Sequence, residues 1–299
     1  MAKLEELLPC PVLREEPMAK HTSLGVGGPA EYLVLPQSEE DICAAVCAAR
    51  DQGLPLTVLG AGTNVIVRDA GIRGLVLMLG AKFRGVNVEE ELIVARAGTP
   101  LAEVCRAAAE RGLAGMEWAA GIPGSVGGAL AMNAGAFGGA MSDIVLTVRA
   151  LTREGQFVEL SREQMRFGYR TSLLRREPLV AVSAALALRK ESRAKVEGRQ
   201  RELLARRRKT QPLDMPSAGS VFKRPPGDYA GRLIEQAGLK GLRVGGAEVS
   251  EKHANFIVNT GGATARDVLQ LIARIQHAVR ERFGVTLEPE VVVLGEDAR

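Results

Sequence analysis

The strongest constraint on this chain is a run of low-bulk residues from Gly121 to Gly139, GIPGSVGGALAMNAGAFGG, with seven glycines in nineteen positions. No charged side chain occurs between Trp118 and Ser142. Such a run lacks the volume to pack a core of its own, and it is too glycine-rich and broken for a membrane helix. It suits a place where backbone must come close to something, because glycine reaches positive φ and has no Cβ to clash. Two readings stay open on this stretch alone. One is a buried glycine-rich crossing or hinge. The other is a cradle that turns backbone N–H groups toward the phosphates of a flat cofactor.

The remaining 280 positions narrow the choice. A chain of 299 residues is long enough for two or three domains. Aromatic residues make up only 4%, which argues against base-stacking surfaces. The net charge of +4 is a mild bias toward anionic ligands, not a nucleic-acid signature. The N-terminal MAKLEELLPCP lacks the apolar run of a signal peptide, and no apolar run is long enough to span a bilayer. Cys10, Cys43, Cys47 and Cys105 fit no zinc or redox spacing, and His21, His253 and His277 are scattered, so no metal centre is expected. Cys43 and Cys47 lie four apart on a helix as small core residues. A reduced, cytoplasmic protein follows.

Strands alternate with helices but also pair as hairpins, which gives an α+β or mixed α/β chain. Ser38 and Asp41 cap a helix that Gly53 stops, between strands at 31–35 and 55–59. Strands follow at 65–67, 75–79, 86–88 and 92–96. Thr99-Pro100 opens a helix with proline in its first turn, ended by Gly112. A hairpin spans 144–151 and 156–160, and Ser161 with Gln164 forms a capping box for a short helix. A strand covers 179–188. Residues 189–209 hold ten basic and three acidic side chains, a solvated helix and linker. Beyond a Pro- and Ser-rich boundary at 211–226 come helices at 229–237 and 265–283, the latter capped by Thr264 and stopped by Gly284. Strands are expected at 255–259 and 291–294.

Four shorter stretches carry candidate chemistry. GAGTN, Gly60 to Asn64, sits between two strands; it is neither a P-loop nor a helix-opening GxGxxG, because Val65-Ile66-Val67 is strand-like. With the run at 121–139 it makes a second glycine-rich turn able to face a phosphate. In SAGSVFKRP, Ser220 lies near Lys223 but lacks the GxSxG elbow of a hydrolase; the stretch reads either as a serine able to deliver a proton to a carbanion or as a Ser-rich interdomain turn. In FGYRTS, Arg170 stands among aromatics and hydroxyls, suited to clamping a carboxylate or phosphate. In LEPEVVV, Glu288 and Glu290 stand two apart in a strand and so share a face, with Pro289 marking an edge or strand start.

Taken in order, HTSLGVGGPAEY, LGAGTNVIVRD, GIPGSVGGALAMNAGAFGG, FGYRTS, QPLDMPSAGSVFKRP, GLKGLRVGGAEVSEKHANFIVN and LEPEVVVLG resemble the UDP-N-acetylenolpyruvoylglucosamine reductase (MurB) family across residues 21–295. The short interval from Tyr169 to Leu179 matches its shorter subtype, which lacks an extra loop bearing a substrate-binding tyrosine. The resemblance implies an FAD-binding fold of the vanillyl-alcohol-oxidase (PCMH) type in two subdomains, residues 1–79 (with the tail 294–299 packing there) and 80–209. A C-terminal α+β substrate-binding domain at 210–293 completes it. It implies non-covalent FAD held by Gly60, Ala61, Gly62, Thr63 and Asn64 and by Gly121, Ile122, Pro123, Gly124, Ser125, Gly127, Gly128, Asn133, Gly135 and Ala136.

The resemblance also implies a reaction. NADPH as co-substrate reduces the flavin, which then passes hydride to C3 of the enolpyruvyl group of UDP-N-acetylglucosamine enolpyruvate. By the same resemblance Ser220 protonates C2, while Arg170 and a protonated Glu290 stabilise the enolic charge. Lys223, Arg224, Lys240 and Lys252 are the candidates for the substrate diphosphate, though the family often has Asn where Arg224 stands. No nucleic acid, membrane insertion or obligate protein partner is expected. Two rivals remain at this point: another FAD-dependent oxidase or dehydrogenase of the same fold, and a non-catalytic nucleotide- or nucleic-acid-binding protein using the basic run at 189–209.

Overall fold

Two hydrophobic cores organise the chain in the computed structural model, which describes residues 4–296. By contacts the chain divides into two compact units, each assembled from segments distant in sequence. The first comprises residues 4–14, 32–61 and 74–206; the second comprises residues 15–31, 62–73 and 207–296.

The first unit is built on a five-stranded antiparallel sheet in the order Phe157–Ser161, Val145–Leu151, Val180–Ala187, Leu92–Arg96, Val86–Glu89. Val180–Ala187 lies at its centre, and its small apolar residues are buried almost throughout, as a strand covered on both faces requires. Leu56–Leu59 runs parallel to Ile72–Met78, pairing residues 56–59 with 75–78. Helix Glu39–Asp51 starts at the expected reciprocal capping box of Ser38 and Asp41. It packs on the turn of the 145–161 hairpin, where Cys43 Sγ donates to the Gly155 carbonyl at 3.7 Å and Arg50 to the Glu154 carbonyl at 3.1 Å. Cys43 and Cys47 are thus half-buried packing residues. Burial, with Asp41 nearby, pushes the Cys10 thiol up to about 11.

The second unit is a four-stranded antiparallel sheet in the order Ser217–Ser220, Phe256–Asn259, Ala247–Val249, Arg243–Val244. Helix Ala265–Phe283 covers it. The helix buries Val268, Leu271, Ile272, Ile275 and Val279, one stripe at the 3.6-residue period. Its ends are the ones the sequence announces: a capping box of Thr264 with Asp267, and Gly284 at φ 68°. The Asp69 carboxylate adds a second cap, accepting from the Ala265 and Arg266 N–H groups at 2.9 Å each. Val292–Leu294 pairs in parallel with Val65–Val67. Residues 297–299 of the expected packing tail lie outside the described residues.

Several elements differ from expectation. Ser161 and Gln164 do exchange both capping-box hydrogen bonds, yet they close only a single turn. Arg166 then takes a left-handed φ of 45°, which no helix can continue. Pro100 sits just outside helix Leu101–Glu110, in extended conformation, rather than in its first turn. The glycine-rich run contains a seven-residue helix, Val126–Met132. Ser217–Ser220 is a strand inside the Pro- and Ser-rich boundary segment, not an interdomain turn. The terminal strand begins only at Val292, so Glu288 and Glu290 lie before it, with a single bridge between Phe222 and Pro289.

Candidate active site

In the first unit the glycine-rich run is sewn to the end of strand Leu92–Arg96. Gly127 N–H donates to the Ala97 carbonyl at 2.8 Å, Val126 N–H to Thr99 at 2.9 Å, and Leu101 N–H to Gly124 at 3.0 Å. These bonds explain why so glycine-rich and poor a helix former as VGGALAM is helical here: tertiary hydrogen bonds and the Ser125 N-cap offset its weak propensity. A Cβ on Gly127 would stand 3.0 Å from Ala97 Cβ, and one on Gly60 would stand 2.5 Å from Ser125 Oγ. Gly60 therefore brings the first glycine turn against the second.

Gly121 and Gly124 hold φ of 75° and 134°, which glycine adopts without strain. Among the described residues no acceptor takes the N–H groups of Gly124 and Ser125. Bare backbone donors in a half-buried turn free of carboxylates are a donor set that suits a diphosphate, and this fits an FAD cradle. Ile122 N–H bonds to Ala119, and Pro123 is exposed. Gly135-Ala136 forms a small hairpin with Gly139-Ala140. The Trp118 ring covers Gly139, leaving no room for a Cβ there.

Two residues of this half prove to be more structural than their sequence position suggests. Asn133, at the left-handed end of the short helix, spends its side chain inside the protein. Its Nδ2 donates to the Gly168 carbonyl at 3.1 Å and its Oδ1 accepts from Ser142 N–H at 2.9 Å. Glu117 anchors the segment leading into the run through Arg199, at 2.6 Å, and Gly115 N–H, at 2.7 Å. Burial works against the Glu117 charge, but the N–H groups and the guanidinium outweigh it and hold the carboxyl below its ordinary pKa.

Arg170 is half-buried with φ 56°, an unusual conformation for a bulky residue and one found where a loop over-determines it. Its guanidinium donates to the Gly135 carbonyl at 3.2 Å and lies 5.2 Å from the Tyr169 ring centroid. Ser172 Oγ ties the same loop to the Ala131 carbonyl at 3.0 Å. The FGYRTS loop is thereby fastened to the glycine-rich run, and Arg170 to the Gly135 end of it.

The second unit holds the other two catalytic candidates next to each other in the chain-pairing scheme. Ser220 ends its strand opposite Phe256, after a bulge at Gly219 with φ 74°. One residue on, the Val221 carbonyl accepts the Glu290 N–H at 2.7 Å. Asn64 Nδ2 donates to the Glu290 carbonyl at 3.2 Å, and the Asn64 carbonyl accepts from Val292 N–H at 3.0 Å. Asn64, nominated for the cofactor, thus uses its amide to hold the backbone of Glu290. Gly62 and Thr63 precede it; a Cβ on Gly62 would strike the His21 carbonyl at 2.0 Å, so only glycine fits. Ala61, on the other side of the unit boundary, is exposed.

The two glutamates part company. Glu288 is exposed and paired with Lys223 at 3.2 Å, whereas Glu290 is half-buried. Arg224 stacks on Tyr229 at 4.0 Å and bonds to the Asp228 carbonyl. Lys240 pairs with Glu235 at 2.6 Å, and Lys252 donates to the Arg208 carbonyl at 2.7 Å. All four basic candidates thus have local partners.

The residue that sequence reading passed over is Asn255, which is 8% exposed and hydrogen-bonded throughout. A buried amide between apolar neighbours in KHANFIVN is the available signal, since such a group must find partners. Beside it, burial lowers the His253 pKa, and His253 Nδ1 accepts the Asn255 N–H at 3.2 Å, which requires that nitrogen to be unprotonated.

Known proteins bear on both units. A family model described as FAD binding domain matches residues 30–161, and one described as UDP-N-acetylenolpyruvoylglucosamine reductase, C-terminal domain, matches residues 211–294. A UDP-N-acetylenolpyruvoylglucosamine reductase from Syntrophomonas wolfei is 46% identical over 282 residues, covering 94% of each chain. The protein of that name numbered 2 in Symbiobacterium thermophilum is 48% identical over 286 residues, 96% of this chain and 93% of its own. The crystal structure of the Thermus caldophilus enzyme (MurB) matches with a TM-score of 0.82 at 37% identity, covering 96% of this chain and all of that one. The fold is therefore an FAD-binding fold of the vanillyl-alcohol-oxidase type joined to the reductase C-terminal domain. The chain belongs to the UDP-N-acetylenolpyruvoylglucosamine reductase family, in its short form, and is an FAD- and NADPH-using enzyme of peptidoglycan precursor synthesis.

Proposed function

We propose that Ser220, Glu290 and Arg170 carry the reduction of the enolpyruvyl group of UDP-N-acetylglucosamine enolpyruvate, with Ser220 delivering the proton to C2. FAD held by the glycine-rich turns would supply hydride chemistry, directed to C3 of the enolpyruvyl group. Addition there leaves negative charge at C2, spread into the neighbouring carboxylate. Arg170 carries a fixed positive charge, and its loop geometry sets where that charge points. Glu290 presents its carboxyl group to the enolic oxygens, with its own backbone fixed on both sides. The Ser220 hydroxyl gives its proton to carbon. The observation that carries this reading is the 2.7 Å bond from Glu290 N–H to the Val221 carbonyl, which fixes the glutamate one residue from the serine.

In this reading residues 1–79 and 80–209 serve the flavin and 210–293 the nucleotide sugar. Gly60 to Asn64, Gly121 to Ser125, Gly127, Gly128, Gly135 and Ala136 hold FAD through backbone and absence of bulk, non-covalently. Asn133 and Asn64 contribute main chain, their amides being committed elsewhere. Lys223 and Arg224, three and four residues beyond Ser220, are the diphosphate contacts; Lys240 and Lys252 must release Glu235 and the Arg208 carbonyl to join them. No helix among the described residues is long and apolar enough to cross a membrane. A cytoplasmic site of action follows from the two nucleotide substrates.

Glu290→Gln tests the assignment. Flavin reduction by NADPH should stay near the parent rate, while reoxidation by the enolpyruvyl substrate in anaerobic stopped-flow should slow by about 10²-fold or more. Reoxidation at the parent rate removes Glu290 from the chemistry.

A further inference from the structure

We infer that Asn255 is a positioning residue for proton transfer, a single buried amide that sets the placement of both Ser220 and Glu290. The inference rests on the roles proposed for those two residues. Asn255 lies on the segment entering strand Phe256–Asn259, which pairs with the strand ending at Ser220. Its carbonyl accepts the Val221 N–H at 2.8 Å. Its Oδ1 accepts the Phe222 N–H at 3.0 Å, and its Nδ2 donates to the Phe222 carbonyl at 2.9 Å. One residue thus takes three main-chain groups of the dipeptide that follows Ser220, and the amide orientation is dictated because only one assignment satisfies both Phe222 groups.

The dipeptide so held is the one that holds Glu290. The Val221 carbonyl, left free by this pattern, accepts Glu290 N–H at 2.7 Å, and Phe222 bridges to Pro289. Ser220 precedes the dipeptide and Glu290 hangs from it, so a shift of Val221 moves donor and stabiliser together. A strand ladder alone would not do this, because the pairing is broken by the bulge at Gly219 and ends at Ser220. The side chain of Asn255 continues the ladder past the point where the backbone stops. Phe222 is 1% exposed, so without the amide its N–H and carbonyl would be buried unsatisfied.

Asn255 touches no reacting atom, so its loss should be felt only where Ser220 and Glu290 act. In Asn255→Ala and in Asn255→Asp, which keeps shape and acceptor but loses the donor, flavin reduction by NADPH should remain near the parent rate. The limiting rate of reoxidation should fall by about 10²-fold in the first and at least as far in the second, whose carboxylate would face the Phe222 carbonyl oxygen. The substrate concentration giving half that rate should change by no more than about threefold. Asn255→Asp guards against a misfolded alanine variant. Equal losses in both half-reactions, or a rise in the half-saturating concentration at unchanged limiting rate, would overturn the inference. Normal reoxidation in both Asn255 variants while Ser220→Ala remains slow would overturn it alone; normal reoxidation in Ser220→Ala would remove the proton donor on which it rests.

Discussion

Ser220→Ala should leave a yellow protein that NADPH still reduces, but whose reduced flavin is reoxidised by UDP-N-acetylglucosamine enolpyruvate some 10²- to 10⁴-fold more slowly, the usual worth of a positioned proton donor. The split follows from where Ser220 stands. It belongs to the unit that carries the C-terminal domain, at the end of a strand pinned by Asn255 and Glu290. Removing one hydroxyl from a half-buried strand end leaves its backbone bonds intact, so folding and cofactor retention should not change. Anaerobic stopped-flow at the flavin absorption band reads both halves. Equal slowing of reduction and reoxidation would show that the serine serves binding or structure instead.

Gly127→Val should have the opposite profile: protein that purifies colourless or loses FAD on dilution, with activity restored in part by excess FAD. The added Cβ would meet Ala97 Cβ at 3.0 Å and the Ala97 carbonyl at 3.2 Å, and the branch adds two methyls beyond it. The strand end cannot yield easily, because Ala97 also receives the Gly127 N–H and donates to Val182 in the centre of the sheet. Overpacking of this kind costs about 1–3 kcal/mol, enough to shift the turn that offers the Gly124 and Ser125 N–H groups. The flavin absorbance ratio of the purified variant reads the result. Full FAD content would show that the run tolerates bulk and does not form the cradle.

The parts of this molecule that the sequence announces are those whose signals are local. Helix Ala265–Phe283 has its cap, its apolar stripe and its terminal glycine within its own residues, and its boundaries follow from them. Val65–Val67 and Leu92–Arg96 are likewise specified by their own β-branched and apolar residues. Helix Val126–Met132 is different. Its propensity is poor, and what makes it helical is a set of bonds to Ala97, Thr99 and Leu101 that no local pattern displays. The Ser161–Gln164 box shows the converse, a complete local signal stopped by the left-handed Arg166.

The site divides in the same way. Ser220, Arg170 and Glu290 are conspicuous because each puts reactive chemistry in a small or polar setting. Asn255 is not, because its partners lie 33 residues away and its role exists only once the strands pair. Asn133 and Asn64 sit in the right loops, yet their amides turn inward to fix Gly168 and Glu290.

The central claim is that this chain couples NADPH oxidation to reduction of a UDP-linked enolpyruvyl ether through bound FAD, with the two half-reactions separable. The direct measurement is anaerobic stopped-flow on the parent protein. NADPH should bleach the flavin band, and UDP-N-acetylglucosamine enolpyruvate added to the reduced protein should restore it with formation of one equivalent of UDP-N-acetylmuramate. Flavin that NADPH bleaches but the enolpyruvyl substrate leaves reduced would contradict the account.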